Sequence, residues 1–264
     1  MTILQLTPNE SHIKRILKKI MFGKYLFCPH CRGRNLKLYG RRYHCKRCRK
    51  FFSLTSVSWL RGIKLPLQTV WLLLYCYTKK IPILQTQDLC GVTEPTVRRW
   101  FDRFREKLPE PDFERLSGIV QMDEMFKKGA MIIGAKQKGT KKVICVPHFK
   151  TAADRKDITD FLEQYVVPRK TELWTDGGSI YKGIQNYWPV WHTRDIHRKF
   201  EFAHTSEIEG VWACFRTFIR RMYHHISNAK LPEYLYEFCM RFSSPEIFDS
   251  PFSYLEKTLC PVST

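Results

Sequence analysis

Acidic residues at three places in the second half of this 264-residue chain could hold metal ions together. Asp123 and Asp176 each end an apolar stretch, and Glu207 and Glu209 follow later in the chain. Carboxylates that lie close together repel one another unless cations neutralise them, and Mg²⁺ prefers such oxygen ligands. Two such ions about 4 Å apart can activate a water or a 3′-hydroxyl and stabilise the leaving oxygen of a phosphodiester. The chemistry that this pattern favours is phosphoryl transfer on DNA, by hydrolysis followed by strand transfer.

The hydrophobic pattern predicts the elements that would position these acids. Short, mostly apolar stretches predict strands over 119–123, 131–135, 143–149, 171–176 and 190–196. Helical patterns cover 154–165, 179–188 and 207–223. The order of three strands, a helix, a strand, a helix, a strand and a helix is that of a ribonuclease H-like fold. We therefore predict an α/β catalytic domain of this class over residues 117–245.

The third acid can be chosen by helical geometry. Glu207 and Glu209 are two residues apart, so a helix turns them about 200° from each other and they cannot both face one site. Glu209 shares its face with Trp212 and Arg216, at offsets of three and seven residues. We choose Glu209 as the third ligand and keep Glu207 as the fallback, with Arg216 as a basic residue that could contact the DNA backbone near the metals.

Four of the ten cysteines predict a zinc site. Cys28 and Cys31 form one C-x₂-C pair, Cys45 and Cys48 form another, and 13 residues separate the pairs. Two such turns on facing hairpins complete the closed tetrahedral shell of structural zinc. Residues 24–52 therefore predict a zinc ribbon, within a domain that we place at 24–55. Residues 24–50 contain ten basic residues and no acidic residue. Zinc would hold the fold while these basic residues contact phosphates.

The excess positive charge lies mainly in the first two-fifths of the chain. Residues 1–107 hold 23 basic and 5 acidic side chains, a net charge of +18, whereas residues 108–264 hold 22 and 20, a net charge of +2. A polyanion such as nucleic acid is the expected partner. A hydrophobic fraction of 44% with 14% aromatic residues excludes wholesale disorder.

Helical patterns after the ribbon predict a DNA-binding segment over 66–108. A turn over 91–93 separates a short helix over 83–89 from a longer one over 96–108, which Thr93 could cap. This layout favours a helix-turn-helix whose second helix presents Arg98, Arg99 and Arg103 to base edges. The alternative is a helical spacer with a solvated basic face. Residues 1–23 would form an N-terminal arm, and 246–264 a C-terminal tail.

Several blocks of the sequence, covering roughly residues 20–245, resemble transposases of the Merlin superfamily and related bacterial insertion sequences. The matching blocks lie at 27–31, 43–53, 122–126, 174–177 and 204–212, and the last reads His-Thr-Ser-Glu-Ile-Glu-Gly-Val-Trp. By this resemblance, Asp123, Asp176 and Glu209 look like the three catalytic acids and Mg²⁺, or Mn²⁺, the catalytic metal. Related sequences often carry Asn where this chain has Ser206, and this departure strengthens the choice of Glu209.

The resemblance implies a DNA transposase that binds element ends and catalyses metal-dependent cleavage and strand transfer. Its expected partners are double-stranded DNA, both terminal inverted repeats and target, and a second copy of the chain in a homodimer on DNA. The longest apolar run, 70–77, is too short to span a bilayer, and the first 30 residues lack a secretion signal, so no membrane partner is expected. We expect a cytoplasmic, nucleoid-associated protein, or a nuclear one in a eukaryotic host.

Two other functions compete with this interpretation. One is a catalytically inactive, transposase-derived DNA-binding protein, which a missing acid would reveal. The other is an enzyme that uses a thiol or a histidine for catalysis. Nothing in the sequence places a Cys beside a His as nucleophile and base in the set of candidate residues. That set is Cys145, His148, His192, His197 and His204.

Overall fold

A computed structural model describes residues 7–194 and 205–259, and these fall into two compact units. The first unit runs to Pro109 and also takes in the segment from Glu246 onward. The second unit spans Glu110–Pro245. Each unit has its own core.

The first unit begins with a helix and a small sheet. Helix α1 spans Glu10–Phe22 and is capped by Asn9, whose side chain accepts a hydrogen bond from the His12 N–H. Three antiparallel strands follow in the order β1-β2-β3: Leu36–Tyr39, Arg42–Cys45 and Phe51–Phe52. Phe52 is buried and packs near Phe22 of α1. The ribbon thus has one face against the helix.

Four more helices complete the first unit: α2 (Leu67–Thr78), α3 (Ile83–Cys90), α4 (Glu94–Arg105) and α8 (Pro251–Thr258). Their core is aromatic, and Tyr77, Phe104 and Tyr254 pack with centroids 5.5 to 6.0 Å apart. Helix α8 lies within residues 246–264, which we predicted to form a C-terminal tail. Thr93 stands at the N-cap of α4, but its hydroxyl bonds the Thr96 hydroxyl and no backbone N–H, so the predicted side-chain cap does not form.

The second unit is built on a five-stranded sheet. Its strands are β4 (Leu116–Lys127), β5 (Ala130–Gln137), β6 (Val143–His148), β7 (Val166–Thr175) and β8 (Trp191–Arg194). They lie in the order β6-β5-β4-β7-β8, with β4 antiparallel to β5 and parallel to β7. Helix α5 (Arg155–Tyr165) lies between β6 and β7 in the sequence, and helices α6 (Ser206–Met222) and α7 (Leu231–Ser243) follow β8. This is a ribonuclease H-like topology, as the sequence predicts.

Two local differences from the expected elements concern the site. Asp123 does not end its strand, because β4 continues for four residues to Lys127 and pairs with β5 along that whole length. The predicted helix over 179–188 is two short 3₁₀ turns, Ser179–Tyr181 and Ile184–Asn186. The last two residues of the strand expected over 190–196 lie outside the described residues.

Buried side chains on both sides of the sheet hold it in place. Strand β5 is almost entirely buried, and Met131, Ile133 and Ala135 join the core beneath α5. Helix α5 begins at a capping box, in which Asp154 and Asp157 each accept the backbone N–H of the other at 2.9 Å. In the described part of the chain, no helix is long and apolar enough to cross a membrane.

Candidate active site and zinc centre

Asp123 lies near the middle of the sheet, where β4 is flanked by β5 and β7. The indole Nε1 of Trp212 donates a hydrogen bond to Asp123 Oδ2 at 2.9 Å. Trp212 is buried on α6, two helical turns from the helix start, so this bond ties α6 to the central strand. The bond also fixes the direction of the Asp123 carboxylate.

Gly134 makes room for that tryptophan. It pairs directly with Asp123 across β4 and β5. A Cβ atom at Gly134 would lie 2.3 Å from Cη2 and 2.5 Å from Cζ2 of Trp212, far inside van der Waals contact. A side chain at this position would therefore displace the indole that holds Asp123.

Asp176 follows directly after β7, the strand beside β4. Its Oδ1 accepts the backbone N–H of Gly178 at 2.9 Å, so the carboxylate folds back on its own turn. A Cβ at Gly178 would lie 2.8 Å from the same oxygen. A side chain at position 178 would therefore push the Asp176 carboxylate out of this orientation.

Helix α6 separates its two glutamates as helical geometry predicts. Glu207 contacts the buried Lys136 amino group and lies 3.4 Å from the backbone N–H of Gly139. Glu209 turns the other way, into the pocket that Asp123 and Asp176 line. The Thr205 hydroxyl donates to Glu209 Oε1 at 2.9 Å and so orients this carboxylate.

Gln121 fixes the start of α6 against β4. Its side-chain carbonyl oxygen accepts the backbone N–H groups of Glu207 at 2.9 Å and of Ile208 at 3.0 Å. These N–H groups have no partner within a helix, so a side chain from another element satisfies them. Gln121 is fully buried and lies two residues from Asp123 on β4. The same strand therefore positions Asp123 and the helix that carries Glu209.

The pocket has a negative interior with one basic group among its lining residues. Its lining consists of Asp123, Glu124, Met125, Phe126, Asp176, Thr205, Glu209, Trp212 and Arg216. Burial, together with the nearby charges of Asp176 and Glu209, raises the pKa of Asp123 to about 6. A bound cation would relieve this repulsion, and the three carboxylates supply the oxygen donors that Mg²⁺ prefers. Arg216 is exposed, with Nη1 3.7 Å from the Met125 sulfur.

The carboxylates are more widely spaced than the zinc-site thiols. Among residues 7–194 and 205–259, the four cysteines are the one group of three or more His, Cys, Asp or Glu ligands whose donor atoms all lie within 4.8 Å of one another. The acids therefore form an open site that borders a pocket.

A fourth acid, Glu124, also lines this pocket. It is half-buried, and burial raises its pKa to about 7. The hydroxyl of Tyr181 donates a short hydrogen bond to Glu124 Oε1. Tyr181 is buried and lies five residues after Asp176, so the bond connects the turn that carries Asp176 to the strand that carries Asp123.

The four predicted zinc ligands converge in the first unit. The Sγ atoms of Cys28 and Cys48 are 3.5 Å apart, as are those of Cys31 and Cys45. Tetrahedral zinc with Zn–S bonds of about 2.3 Å requires sulfurs about 3.8 Å apart, so the site fits zinc. A hydrogen bond from the Cys48 backbone N–H lowers the pKa of Cys45 to about 7, whereas burial raises the pKa of Cys28 to about 12.

The three arginines proposed as DNA readers differ in their surroundings. Arg99 is exposed, and Arg98 pairs with Glu94 one turn earlier at 2.7 Å. Arg103 donates to the backbone carbonyls of Trp59 and Arg61, so its guanidinium holds α4 to the segment before α2. Helices α3 and α4 are joined by a three-residue turn that starts at Gly91, with φ of 61°. This connection has the length of a helix-turn-helix turn.

Among the described residues, the thiol and histidine candidates have other contacts and do not form a catalytic pair. Cys145 interacts with Cys239, and His148 Nδ1 lies 3.5 Å from Asp157. His192 Nε2 is 2.9 Å from the Thr175 hydroxyl, and burial lowers its pKa. His197 and His204 lie outside the described residues.

Sequence reasoning missed the residues that orient the acids. Gln121, Gly134, Gly178, Tyr181 and Thr205 carry no pattern that separates them from ordinary strand or turn residues.

Comparison with known proteins identifies both parts of the chain. Residues 8–51 match the transposase zinc-ribbon domain, and residues 115–243 match the ISXO2-like transposase domain. A protein of the transposable element ISH50 of Halobacterium salinarum is 27% identical over 129 residues. That match covers 47% of this chain and 44% of the relative, so the chain spans less than half the length of the curated relative it matches.

Two solved structures also resemble the chain at low scores. A simian T-cell lymphotropic virus intasome in complex with the PP2A regulatory subunit B56 gamma has a TM-score of 0.36 and 10% identity, covering 64% of this chain and 67% of that one. The catalytic core of BIV integrase has a TM-score of 0.32 and 12% identity, covering 47% and 82%. Both TM-scores are below 0.5, and neither similarity indicates a function for this chain.

The resemblance to insertion-sequence transposases is thus confirmed, whereas the placement in the Merlin superfamily stays a prediction. The chain therefore combines a segment similar to a transposase zinc-ribbon domain with a segment similar to an ISXO2-like transposase domain.

Proposed function

We propose that this protein binds the ends of its element as double-stranded DNA and catalyses metal-dependent cleavage and strand transfer. The observation that carries the proposal is that acids from three separate elements line one pocket: Asp123 from β4, Asp176 after β7 and Glu209 from α6. Catalytic carboxylates gathered at the centre of a ribonuclease H-like sheet suit phosphoryl transfer.

In this proposal Asp123, Asp176 and Glu209 hold two Mg²⁺ ions, or Mn²⁺. When bound, these ions supply the activation of a water or a 3′-hydroxyl and the stabilisation of the leaving oxygen. Trp212 and Thr205 hold the carboxylates of Asp123 and Glu209 in place. Arg216, exposed at the same pocket, contacts a DNA phosphate.

The first unit supplies most of the binding charge. Residues 1–107 carry a net charge of +18, and the zinc site keeps the basic ribbon folded. Arg98 and Arg99 are the proposed base-reading residues on α4, and Arg103, although held by backbone carbonyls, is kept as a third. Because DNA must be held at two ends for transposition, we propose a homodimer on DNA.

Metal-dependent nicking of supercoiled plasmid tests the catalytic part of the proposal. Purified, zinc-loaded wild-type protein should nick the plasmid when Mg²⁺ or Mn²⁺ is added and not without these ions, and Asp176→Ala should not nick while it still binds DNA. Equal nicking by the two proteins would remove the proposed site. Absence of nicking in both, with DNA binding retained, would favour the inactive DNA-binding alternative.

A further inference from the structure

One face of the zinc-ribbon sheet gathers aromatic and basic side chains. Lys37 pairs with His44, His44 pairs with Phe51, and Tyr39 pairs with Arg42. Paired residues of antiparallel strands point to the same side, as do residues two apart on one strand. All five side chains therefore lie on one face, which we call the aromatic face (Lys37, Tyr39, Arg42, His44 and Phe51).

The rings of the aromatic face contact one another and remain open to solvent. The centroids of His44 and Phe51 are 4.6 Å apart, and those of Tyr39 and Phe51 are 6.1 Å apart. Tyr39 is 49% exposed and Phe51 is 45% exposed, whereas Phe52, on the opposite face, is 2% exposed. Grouped exposed rings on a small domain mark a binding surface.

Cations flank these rings. Lys37 Nζ lies 5.0 Å from the centroid of Tyr39, and Arg42 Cζ lies 5.2 Å from the centroid of Phe51. The surrounding residues 24–50 contain ten basic and no acidic side chains. The partner must therefore be an anion that also offers flat apolar surfaces, which describes nucleic acid.

Ring stacking further restricts the form of the nucleic acid. In an intact duplex both faces of each internal base are covered by neighbouring bases, so a protein ring can stack only on a base that is unpaired. Aromatic rings beside a basic backbone track are how single strands are bound without sequence preference.

We propose that the aromatic face binds single-stranded DNA, with unpaired bases stacked on Tyr39 and Phe51 and phosphates held by Lys37 and Arg42. This binding activity goes beyond the proposed cleavage reaction and does not depend on the acids of the second unit. A protein that fails to cut DNA could still pass the test below.

Fluorescence anisotropy of the full-length, zinc-loaded protein tests the proposal. The probes are a single strand of about 12 nucleotides, its duplex and the RNA strand of the same sequence. Phe51→Ala and Tyr39→Ala should each weaken single-stranded DNA binding about fivefold or more, because a stacked base contributes roughly 1–3 kcal/mol. Duplex affinity should change by less than about twofold, since phosphate contacts remain.

Matched variants separate stacking from folding. Phe149→Ala removes a ring that is 59% exposed in the second unit, outside the ribbon, and should leave single-strand affinity unchanged. Phe51→Tyr should keep the affinity, and each variant should retain one zinc per chain. Equal weakening for single strand and duplex, or no loss in either alanine variant, would overturn the proposal. Tighter ring-dependent binding of the RNA strand would overturn the assignment to DNA.

Discussion

Trp212 Nε1 donates a hydrogen bond to Asp123 Oδ2 at 2.9 Å, and this bond joins the helix of the third acid to the strand of the first. The indole reaches the carboxylate because Gly134, the cross-strand partner of Asp123, has no side chain in its path. One residue of α6 therefore sets both the packing of the helix on the sheet and the direction of a proposed metal ligand.

Trp212→Phe should lower metal-dependent DNA cleavage by about 10- to 100-fold, the usual cost of removing a group that orients a metal ligand. The loss should be accompanied by a weaker affinity for Mn²⁺, because the Asp123 carboxylate is no longer held. Calorimetric titration of Mn²⁺ into both proteins checks this. Unchanged cleavage and metal affinity would show that the bond has no functional role.

Gly134→Ala should destabilise the wild-type protein by about 1–3 kcal/mol, as overpacking of a core does. The added methyl would meet Cη2 and Cζ2 of Trp212, two atoms that phenylalanine lacks. The same substitution made in Trp212→Phe should therefore cost much less. Urea unfolding of the four proteins measures this coupling, and an equal cost in both backgrounds would contradict the packing described.

Gly178→Ala should reduce DNA cleavage with little loss of stability. The backbone at Gly178, with φ of −55° and ψ of 140°, suits alanine, so the effect comes from the methyl group 2.8 Å from Asp176 Oδ1. Gly210→Ala is the matched control, since it adds a methyl beside Glu209 in open space. Cleavage by the control should be unchanged, and thermal melting should show both variants folded. Equal activity of the two variants would refute the role of Gly178.

Metal-free protein should lose stability from the active site as the pH rises. Asp123 has a pKa of about 6 when folded, against an ordinary value of 3.8, so the folded state retains a proton that the unfolded chain releases. The stabilising contribution is complete below pH 3.8 and is lost as the pH rises through 6. Without added Mg²⁺ or Mn²⁺, Asp123→Asn should thus be more stable than wild type at pH 8, by at most about 3 kcal/mol, and similar near pH 4.

Mg²⁺ should reverse that difference, because it binds the ionised carboxylates. Thermal melting at pH 8 with added Mg²⁺ should raise the melting temperature of wild type more than that of Asp123→Asn. An equal response of the two proteins would place the metal elsewhere.

Residue spacing in the sequence was enough to predict the sheet, the zinc ribbon and the opposite directions of Glu207 and Glu209 on their helix, whereas the role of Glu209 as a metal ligand stays a prediction. The apolar strands and the turn of α6 depend on residue spacing, and Glu207 does lie on the other side of the helix, against Lys136. The side chains that orient the acids could not be predicted in the same way. Gln121 and Gly134 act through contacts with α6, more than 70 residues away in sequence, and such contacts appear only after folding.

A comparison of Glu209→Gln with Glu207→Gln tests the central claim most directly. Both variants remove one charge from the first turn of α6, but only Glu209 lines the pocket shared with Asp123 and Asp176. We predict that Mn²⁺-dependent plasmid nicking is lost in Glu209→Gln and retained in Glu207→Gln, with DNA affinity similar in both. Full nicking by Glu209→Gln, or equal loss in the two variants with both folded, would contradict the three-carboxylate site.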